Sequence, residues 1–279
     1  MVDIEAASSS QKPLILLTND DGVHAPGLAA LAEAVAPLGD IVVAAPDRNN
    51  SGASHQITLH RPLRSLELRP GWWQIDGSPA DSVYLAIHEH LAGRQPDLCI
   101  SGINAGPNLS FDVHYSGTVG AAFEAALMGV QAIAVSLCDH RNSPYEPAAQ
   151  FAAHLAQQVL KDGLPTDTIL NVNVPGGTPT EFQMTFLGHR LFKHEVHRRD
   201  DPRGYPYFWV GGVPGQPDNI VGSDCTAVDD GFISVTPLTV DLTNARALRG
   251  ELADWTLDGY ARRPGRQAPD KIDIRPLKK

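Results

Sequence analysis

The sequence has few cysteines, and their arrangement excludes a disulfide-stabilised scaffold. Only three of its 279 residues are cysteine, an odd number, and Cys99, Cys138 and Cys225 are widely scattered. Small extracellular domains instead carry an even number of cysteines at close spacings. The pattern favours a reducing compartment, and we expect a cytoplasmic protein.

Positive charge and long apolar runs are also scarce. Lysine and arginine total 22 against 32 aspartates and glutamates, so the formal net charge is -10. Because phosphate backbones attract cationic surfaces, this balance argues against a nucleic-acid polymer as partner, although a small phosphorylated substrate stays compatible. No run approaches the roughly 20 apolar residues that a bilayer span requires, so we expect no membrane association. Residues 1–12 resemble no secretory signal and are predicted to be a disordered leader.

Apolar runs typical of buried strands alternate with helical patterns through residues 13–175. Strands are predicted at Leu14–Leu17, Ile41–Ala45, Leu98–Ser101, Ile133–Ser136 and Thr168–Val174. Helices are predicted at Pro26–Leu38, Ala80–Leu91, Thr118–Val130 and Pro147–Leu160. Such alternation indicates parallel βαβ units with right-handed crossovers, and therefore an α/β fold with a mostly parallel sheet between two helical layers. Ile57–Ile75 is predicted to be a β-hairpin insertion beside the sheet.

The pattern changes after Pro175, within what we expect to be a single domain over residues 13–258. Phe182–Val196, Tyr205–Val210 and Phe232–Val235 alternate like antiparallel strands. A β-rich extension that forms no core of its own often packs on another subunit, so residues 176–240 are predicted to oligomerise. A helix is predicted over residues 242–258, and residues 259–279 are predicted to form an extended basic tail.

Two adjacent aspartates follow the first predicted strand. Asp20 and Asp21 stand at the carboxyl end of an apolar run and are followed by Gly22. Ligands bind at this end of the strands in open α/β sheets, and two neighbouring carboxylates repel each other unless a cation neutralises them. A metal site is one interpretation of this pattern, and a solvated Asp-Gly turn is the other.

Three further segments should reach the same edge of the sheet, and all are rich in glycine and in short oxygen-bearing side chains. They contain Ser51 after the second strand, Asn104 and Asn108 after the third, and Ser116-Gly117-Thr118 at a helix start. Hard oxygen donors of this kind suit Mg²⁺ or Mn²⁺. The helix start favours an anion such as phosphate, although a plain helix cap explains it equally well.

Other classes of protein fit the sequence less well. An aspartyl-phosphate phosphatase would separate its two aspartates by one residue, and a dinucleotide-dependent oxidoreductase would place G-x-G-x-x-G after the first strand. A nucleotide-binding regulatory module without catalytic activity remains the alternative to an enzyme.

Four long stretches, read together, resemble the SurE family of stationary-phase survival proteins, which are metal-dependent nucleotidases. The stretches are Asn19–Gly27, Ala45–Ser54, Ser101–Asn108 and Tyr115–Val119. Weaker matches extend the resemblance over roughly residues 14–258.

The resemblance implies a Rossmann-like core with a β-hairpin extension, C-terminal exchange between subunits, and a homodimer or homotetramer. It implies one divalent ion per subunit, Mg²⁺ or Mn²⁺, held by Asp20, Asp21, Ser51 and Asn104. Of these, Asp20, Asp21 and Asn104 are also expected to be catalytic. The expected reaction is hydrolysis of nucleoside 5′-monophosphates, with 3′-monophosphates and short polyphosphate as further substrates. The phosphate is expected to be held by Asn108, Ser116, Gly117 and Thr118.

Overall fold

The computed structural model describes residues 12–189, 195–211 and 220–259. Its strands are β1 (Leu14–Thr18), β2 (Asp40–Pro46), β3 (Ser65–Arg69), β4 (Trp72–Ile75), β5 (Leu98–Ala105), β6 (Ala132–Leu137), β7 (Thr168–Val174), β8 (Phe182–Met184), β9 (Glu195–Asp200), β10 (Pro206–Gly211) and β11 (Ile233–Thr239). Its α-helices are α1 (Pro26–Val35), α2 (Pro79–Leu85), α3 (Gly117–Leu127), α4 (Glu146–Asp162), α5 (Asp224–Asp229) and α6 (Ala245–Arg249). The predicted leader and basic tail fall almost wholly outside the described residues.

One nine-stranded sheet runs through the molecule in the order β3-β4-β2-β1-β5-β6-β7-β11-β8. In sheet order from β4 through β2, β1, β5 and β6 to β7, each strand runs parallel to the next. Strand β11 then joins β7 in antiparallel fashion. The mostly parallel α/β sheet predicted from the sequence is therefore confirmed.

Helices cover both faces of the sheet and give three layers. Alternation along β1 sends Ile15 and Leu17 to one core, where α1 and α4 pack, and Leu14 and Leu16 to the other, under α2 and α3. Strands that are buried on both sides in this way appear in the sequence as continuous apolar runs, which explains why these strands were predictable.

The prediction that every crossover is right-handed is wrong. The connections from β5 to β6 and from β6 to β7 step in the same direction across the sheet, yet α3 and α4 lie on opposite faces. Two such connections must have opposite hands, so one of them departs from the right-handed rule. The departure lets α4 pack beside α1, where Ala148, Ala152 and Ala156 are buried.

The structure contains the predicted hairpin, but it differs in part from the prediction of antiparallel strands after Pro175. The Ile57–Ile75 hairpin is present as β3 and β4, and it joins the edge of the main sheet through β2. In the region predicted as antiparallel strands, β9 and β10 do pair antiparallel in a separate ribbon, but β8 runs parallel to β11.

The helix predicted over residues 242–258 is much shorter than expected. Only α6 is helical, and Gly250 follows it directly. The apolar residues that suggested a longer helix, Leu242, Leu248 and Trp255, are exposed in the single chain. A short helix with no apolar partner gains little from packing, and packing supplies most helical stability in proteins.

No helix within the three described ranges is both long and apolar enough to cross a bilayer.

The parallel strands bring the loops after β1, β2 and β5 and the first turn of α3 to one edge of the sheet. Close packing of α1 against the β5 loop depends on Gly27, because a Cβ there would lie 2.2 Å from the carbonyl oxygen of Ile103.

We expect Gly27→Ala to destabilise the protein by about 1–3 kcal/mol through overpacking. In an open helix position the same change would stabilise by roughly 0.5–1 kcal/mol, so the sign of the effect is informative. Urea denaturation measures the change. Glu33→Ala, at an exposed position of the same helix, is the matched control and should leave the stability nearly unchanged. A Gly27→Ala variant as stable as the parent would contradict the packing.

Candidate active site

The turn after β1 is fixed by the side chain of Asn19. Its Nδ2 donates to the Gly22 carbonyl oxygen at 3.0 Å, and its Oδ1 accepts from the Gly22 N–H at 3.1 Å. Gly22 has φ of +106°, a conformation that side chains rarely adopt, and its backbone lies against Arg48. The chain therefore bends directly after the two aspartates, as the adjacency of two carboxylates at one site requires.

Asp20 is buried against the first turn of α3. Its Oδ1 accepts a hydrogen bond from the Thr118 hydroxyl at 2.5 Å, and both residues are almost inaccessible to solvent. A Cβ on Gly117 would lie 2.8 Å from the Cβ of Asp20, so only glycine allows this approach. The carbonyl oxygen of Asp20 also accepts from the Asn50 N–H at 2.7 Å.

Asp21 joins the loops that follow β2 and β5. Its Oδ1 accepts from Asn49 Nδ2 at 3.2 Å, and its Oδ2 accepts from the Ala105 N–H at 2.9 Å. These two bonds, with the bond from Asn50 to Asp20, bring three strand ends to the same pair of carboxylates.

Ser51 and Asn104 reach the site through their neighbours. Ser51 is exposed and donates its N–H to Asn49 Oδ1 at 2.8 Å, so the side chain that bonds Asp21 also holds Ser51. Asn104 precedes Ala105, beyond a register shift in β5, and its Nδ2 donates to the Gly106 carbonyl oxygen at 2.8 Å. This bond orients the Asn104 amide and keeps its Oδ1 as the acceptor atom.

The electrostatics of the pair favour a bound cation. Burial raises the pKa of Asp20 above its ordinary value, and the neighbouring charge of Asp21 raises it further, while the hydrogen bond from Thr118 acts in the opposite direction. The donors around the pair are carboxylate, hydroxyl and amide oxygens, a hard set that suits Mg²⁺ or Mn²⁺. The residues present therefore fit a divalent metal ion.

The residues expected to hold phosphate have more varied surroundings. Ser116 caps α3, its Oγ accepting from the Val119 N–H at 3.1 Å, and the Thr118 hydroxyl is engaged by Asp20. Asn108 is buried, and its backbone and side chain bond to β6 and β7 through Ser136, Asn171 and Asn173. The helix start thus adjoins Asp20, whereas Asn108 is anchored to the sheet.

Several residues of the site were not identified from the sequence. Asn19, Asn49 and the Ala105 N–H shape the loops around the aspartates. Thr118 was expected at the site as a phosphate-binding residue, but its contact with Asp20 was not. Asn19 could have been recognised, because an asparagine three residues before a glycine is a common turn signal. The other contacts join residues far apart in the chain.

The fold and the site together define a class: a three-layer α/β protein with a pair of carboxylates and a helix start at the carboxyl edge of its sheet. Residues 15–194 match the family model described as survival protein SurE. The chain belongs to the SurE family.

Its relatives are similar over nearly their whole length. Proteins named 5′-nucleotidase SurE from Syntrophotalea carbinolica and from Myxococcus xanthus are 52% and 50% identical to this chain. The matches cover 88% and 91% of this chain, and 98% and 97% of the respective relatives. The crystal structure of the SurE protein from Aquifex aeolicus, at 39% identity, covers 86% of this chain and 99% of its own, with a TM-score of 0.78.

We expect Asp20→Asn to raise the thermal stability of the protein in EDTA at pH 7.5. A raised pKa means that the folded state holds this proton more firmly than the unfolded state. Stability therefore falls as pH rises from 3.8 through the raised pKa. Asparagine keeps the Oδ1 acceptor for Thr118 but removes the buried charge. Differential scanning calorimetry at pH 4.5 and 7.5 should show the larger gain at pH 7.5.

Asp76→Asn is the control of opposite sign. A hydrogen bond from the Arg64 N–H lowers the pKa of Asp76, so its ionised form stabilises the fold at pH 7.5. Its substitution should lower the melting temperature there. An Asp20→Asn variant that is less stable than the parent at pH 7.5 would contradict the electrostatic account of the site.

Proposed function

We propose that this chain is a metal-dependent 5′-nucleotidase, which hydrolyses nucleoside 5′-monophosphates to nucleoside and phosphate. The observation that carries the proposal is the carboxylate pair, which hydrogen bonds from three separate segments hold at the strand ends. The names and near-complete coverage of the relatives support the same activity.

The metal centre would be formed by Asp20, Asp21, Ser51 and Asn104, holding one Mg²⁺ or Mn²⁺ per subunit. Hydrogen bonds from Thr118, Asn49 and Ala105 orient the two carboxylates, and a carboxylate oxygen that accepts one hydrogen bond can still bind a cation. When bound, such an ion polarises a phosphoryl oxygen and makes a water molecule more acidic.

The substrate phosphate would lie at the first turn of α3. The N–H groups of Gly117 and Thr118 precede the first helical hydrogen bonds, and the positive end of the helix dipole favours an anion. Ser116 and Asn108 would add side-chain donors. Phosphoryl transfer depends mainly on positioning and charge stabilisation, so this set, with Asp20, Asp21 and Asn104 as catalytic residues, suffices for hydrolysis.

Substrate scope follows from the same geometry. The groups that we assign to the reaction all bind phosphate or metal, and none of them contacts the base of a nucleotide. We therefore propose that nucleoside 3′-monophosphates and short polyphosphate are also substrates.

The β9–β10 ribbon supports assembly into a homodimer or homotetramer. Every residue of both strands is exposed in the single chain, including the apolar residues Val196, Phe208, Trp209 and Val210. A two-stranded ribbon is at best marginally stable alone in water, so a second copy of the chain would complete it. We place the assembly in the cytoplasm, which the odd number and wide scatter of its three cysteines support.

We expect phosphate release from AMP and GMP to require a divalent ion. EDTA should abolish release, and Mn²⁺ or Mg²⁺ should restore it. Asp20→Asn and Asp21→Asn should lower kcat/KM by about 10³-fold, the order expected for loss of several kcal/mol of metal-assisted stabilisation. A panel of 5′- and 3′-monophosphates and tripolyphosphate measures the preference.

The matched control is Glu33→Gln, which removes one exposed carboxylate from α1 and should leave activity unchanged. Nucleotide binding by a folded protein that releases no phosphate with any metal would favour the regulatory module instead.

We expect Trp209→Lys to shift the protein toward monomers in size-exclusion chromatography with light scattering. A charge at the apolar ribbon would have to be desolvated on association. Leu59→Lys, at an equally exposed apolar position in the loop before β3, should leave the mass unchanged. A Trp209→Lys variant that keeps the parent mass would exclude the ribbon from the interface.

A further inference from the structure

The first turn of α3 packs closely against the carboxylate of Asp20. Thr118 Oγ1 lies 2.5 Å from Asp20 Oδ1, and Gly117 leaves room for no side chain between the helix and the carboxylate. The Ser116 cap fixes where the helix begins. Three consecutive residues therefore set the position of one carboxylate.

The hydroxyl of Thr118 has one proton, and the geometry directs it to Asp20. A hydroxyl donates a single hydrogen bond, so this side chain cannot at the same time donate to a phosphate oxygen. Thr118 is fully buried and Asp20 is 3% exposed, so water does not compete for the bond.

We propose that Thr118 is a positioning residue, whose hydroxyl holds Asp20 Oδ1 and thereby orients the Asp20 carboxylate toward the divalent ion. The inference rests on the proposed metal centre and adds a role that the phosphate assignment of Thr118 does not contain. Partners of metal-ligating carboxylates orient the ligand and commonly change metal affinity 10–100-fold when they are removed. Placing the donor on a helix makes the orientation rigid, because the helix is packed in the core through Val119 and Ala122.

The two roles of Thr118 predict different measurements. A hydroxyl that holds phosphate affects phosphate and substrate affinity but leaves metal affinity unchanged when no phosphate is present. A hydroxyl that positions Asp20 changes metal affinity in the absence of any phosphate. The decisive quantity is therefore the Kd for Mn²⁺ alone.

The experiment titrates Mn²⁺ into the full chain in phosphate-free buffer and follows the free ion by electron paramagnetic resonance. Thr118→Val, which keeps the shape but removes the hydroxyl, should weaken Mn²⁺ binding 10–100-fold. Thr118→Ser restores the hydroxyl and should bind close to the parent value. Thr118→Ala also removes the hydroxyl, but unlike Thr118→Val it places no methyl group against Asp20.

Thr185→Val controls for the loss of a buried hydroxyl as such. Thr185 bonds Ser234 and Thr236 at 2.8 and 2.7 Å, next to the strands at one end of the sheet. It should lower the melting temperature and leave the Mn²⁺ Kd unchanged. Parent-like Mn²⁺ binding by folded Thr118→Val or Thr118→Ala would overturn the inference and leave the proposed function standing. A parent protein that binds no Mn²⁺ would overturn the metal centre and the inference together.

Discussion

The carboxylate of Asp20 is the constraint on which the other parts of the site depend. It is a charge in a nearly dry position beside a second carboxylate, and burial and that neighbour both raise its pKa. Such a group is unfavourable unless donors or a cation surround it. The Thr118 hydroxyl donates to this carboxylate, while the Asn19 side chain and the bond from the Asn50 N–H to the Asp20 carbonyl oxygen fix the backbone that carries it. The local sequence after β1, the start of α3 and the loop after β2 are therefore parts of one arrangement.

A buried polar layer lies beyond the pair of aspartates, at the far end of the segment that follows β5. The carbonyl oxygen of Asn108 accepts from both Asn171 and Asn173, and its side chain donates to Ser136. These residues lie in β6 and β7, so the loop that begins at Asn104 is tied to the sheet at its far end as well. A buried network of this kind is specific because every unpaired member would be costly. The segment after β5 is thus tied to the sheet through Asn108 before the short 3-10 helix at Ser110–His114.

The sequence predicted the parts of the fold that depend on local pattern. The apolar runs of β1, β2, β5, β6 and β7 were recognisable because both sides of each strand are buried, and the Asp-Asp-Gly turn was recognisable from its composition. The 242–258 helix was mispredicted because its apolar spacing has no packing partner in the single chain. The crossover rule failed at α4, where coverage of the face beside α1 decided the hand. In both cases the surfaces available for packing in the folded chain outweighed the local sequence pattern.

The sequence by itself determined that two carboxylates, a serine, an asparagine and a helix start would reach one edge of a parallel sheet, because that follows from strand direction alone. Only the tertiary structure decided which atoms meet. Thr118 and Asp20 are 98 positions apart in the chain, and Ala105 and Asp21 are 84 apart. Hydrogen bonds are effective over only about 3 Å, a distance that no spacing in a sequence specifies. The close approach of α3 to β1, which Gly117 permits, converts a nearby hydroxyl into a partner of the buried carboxylate.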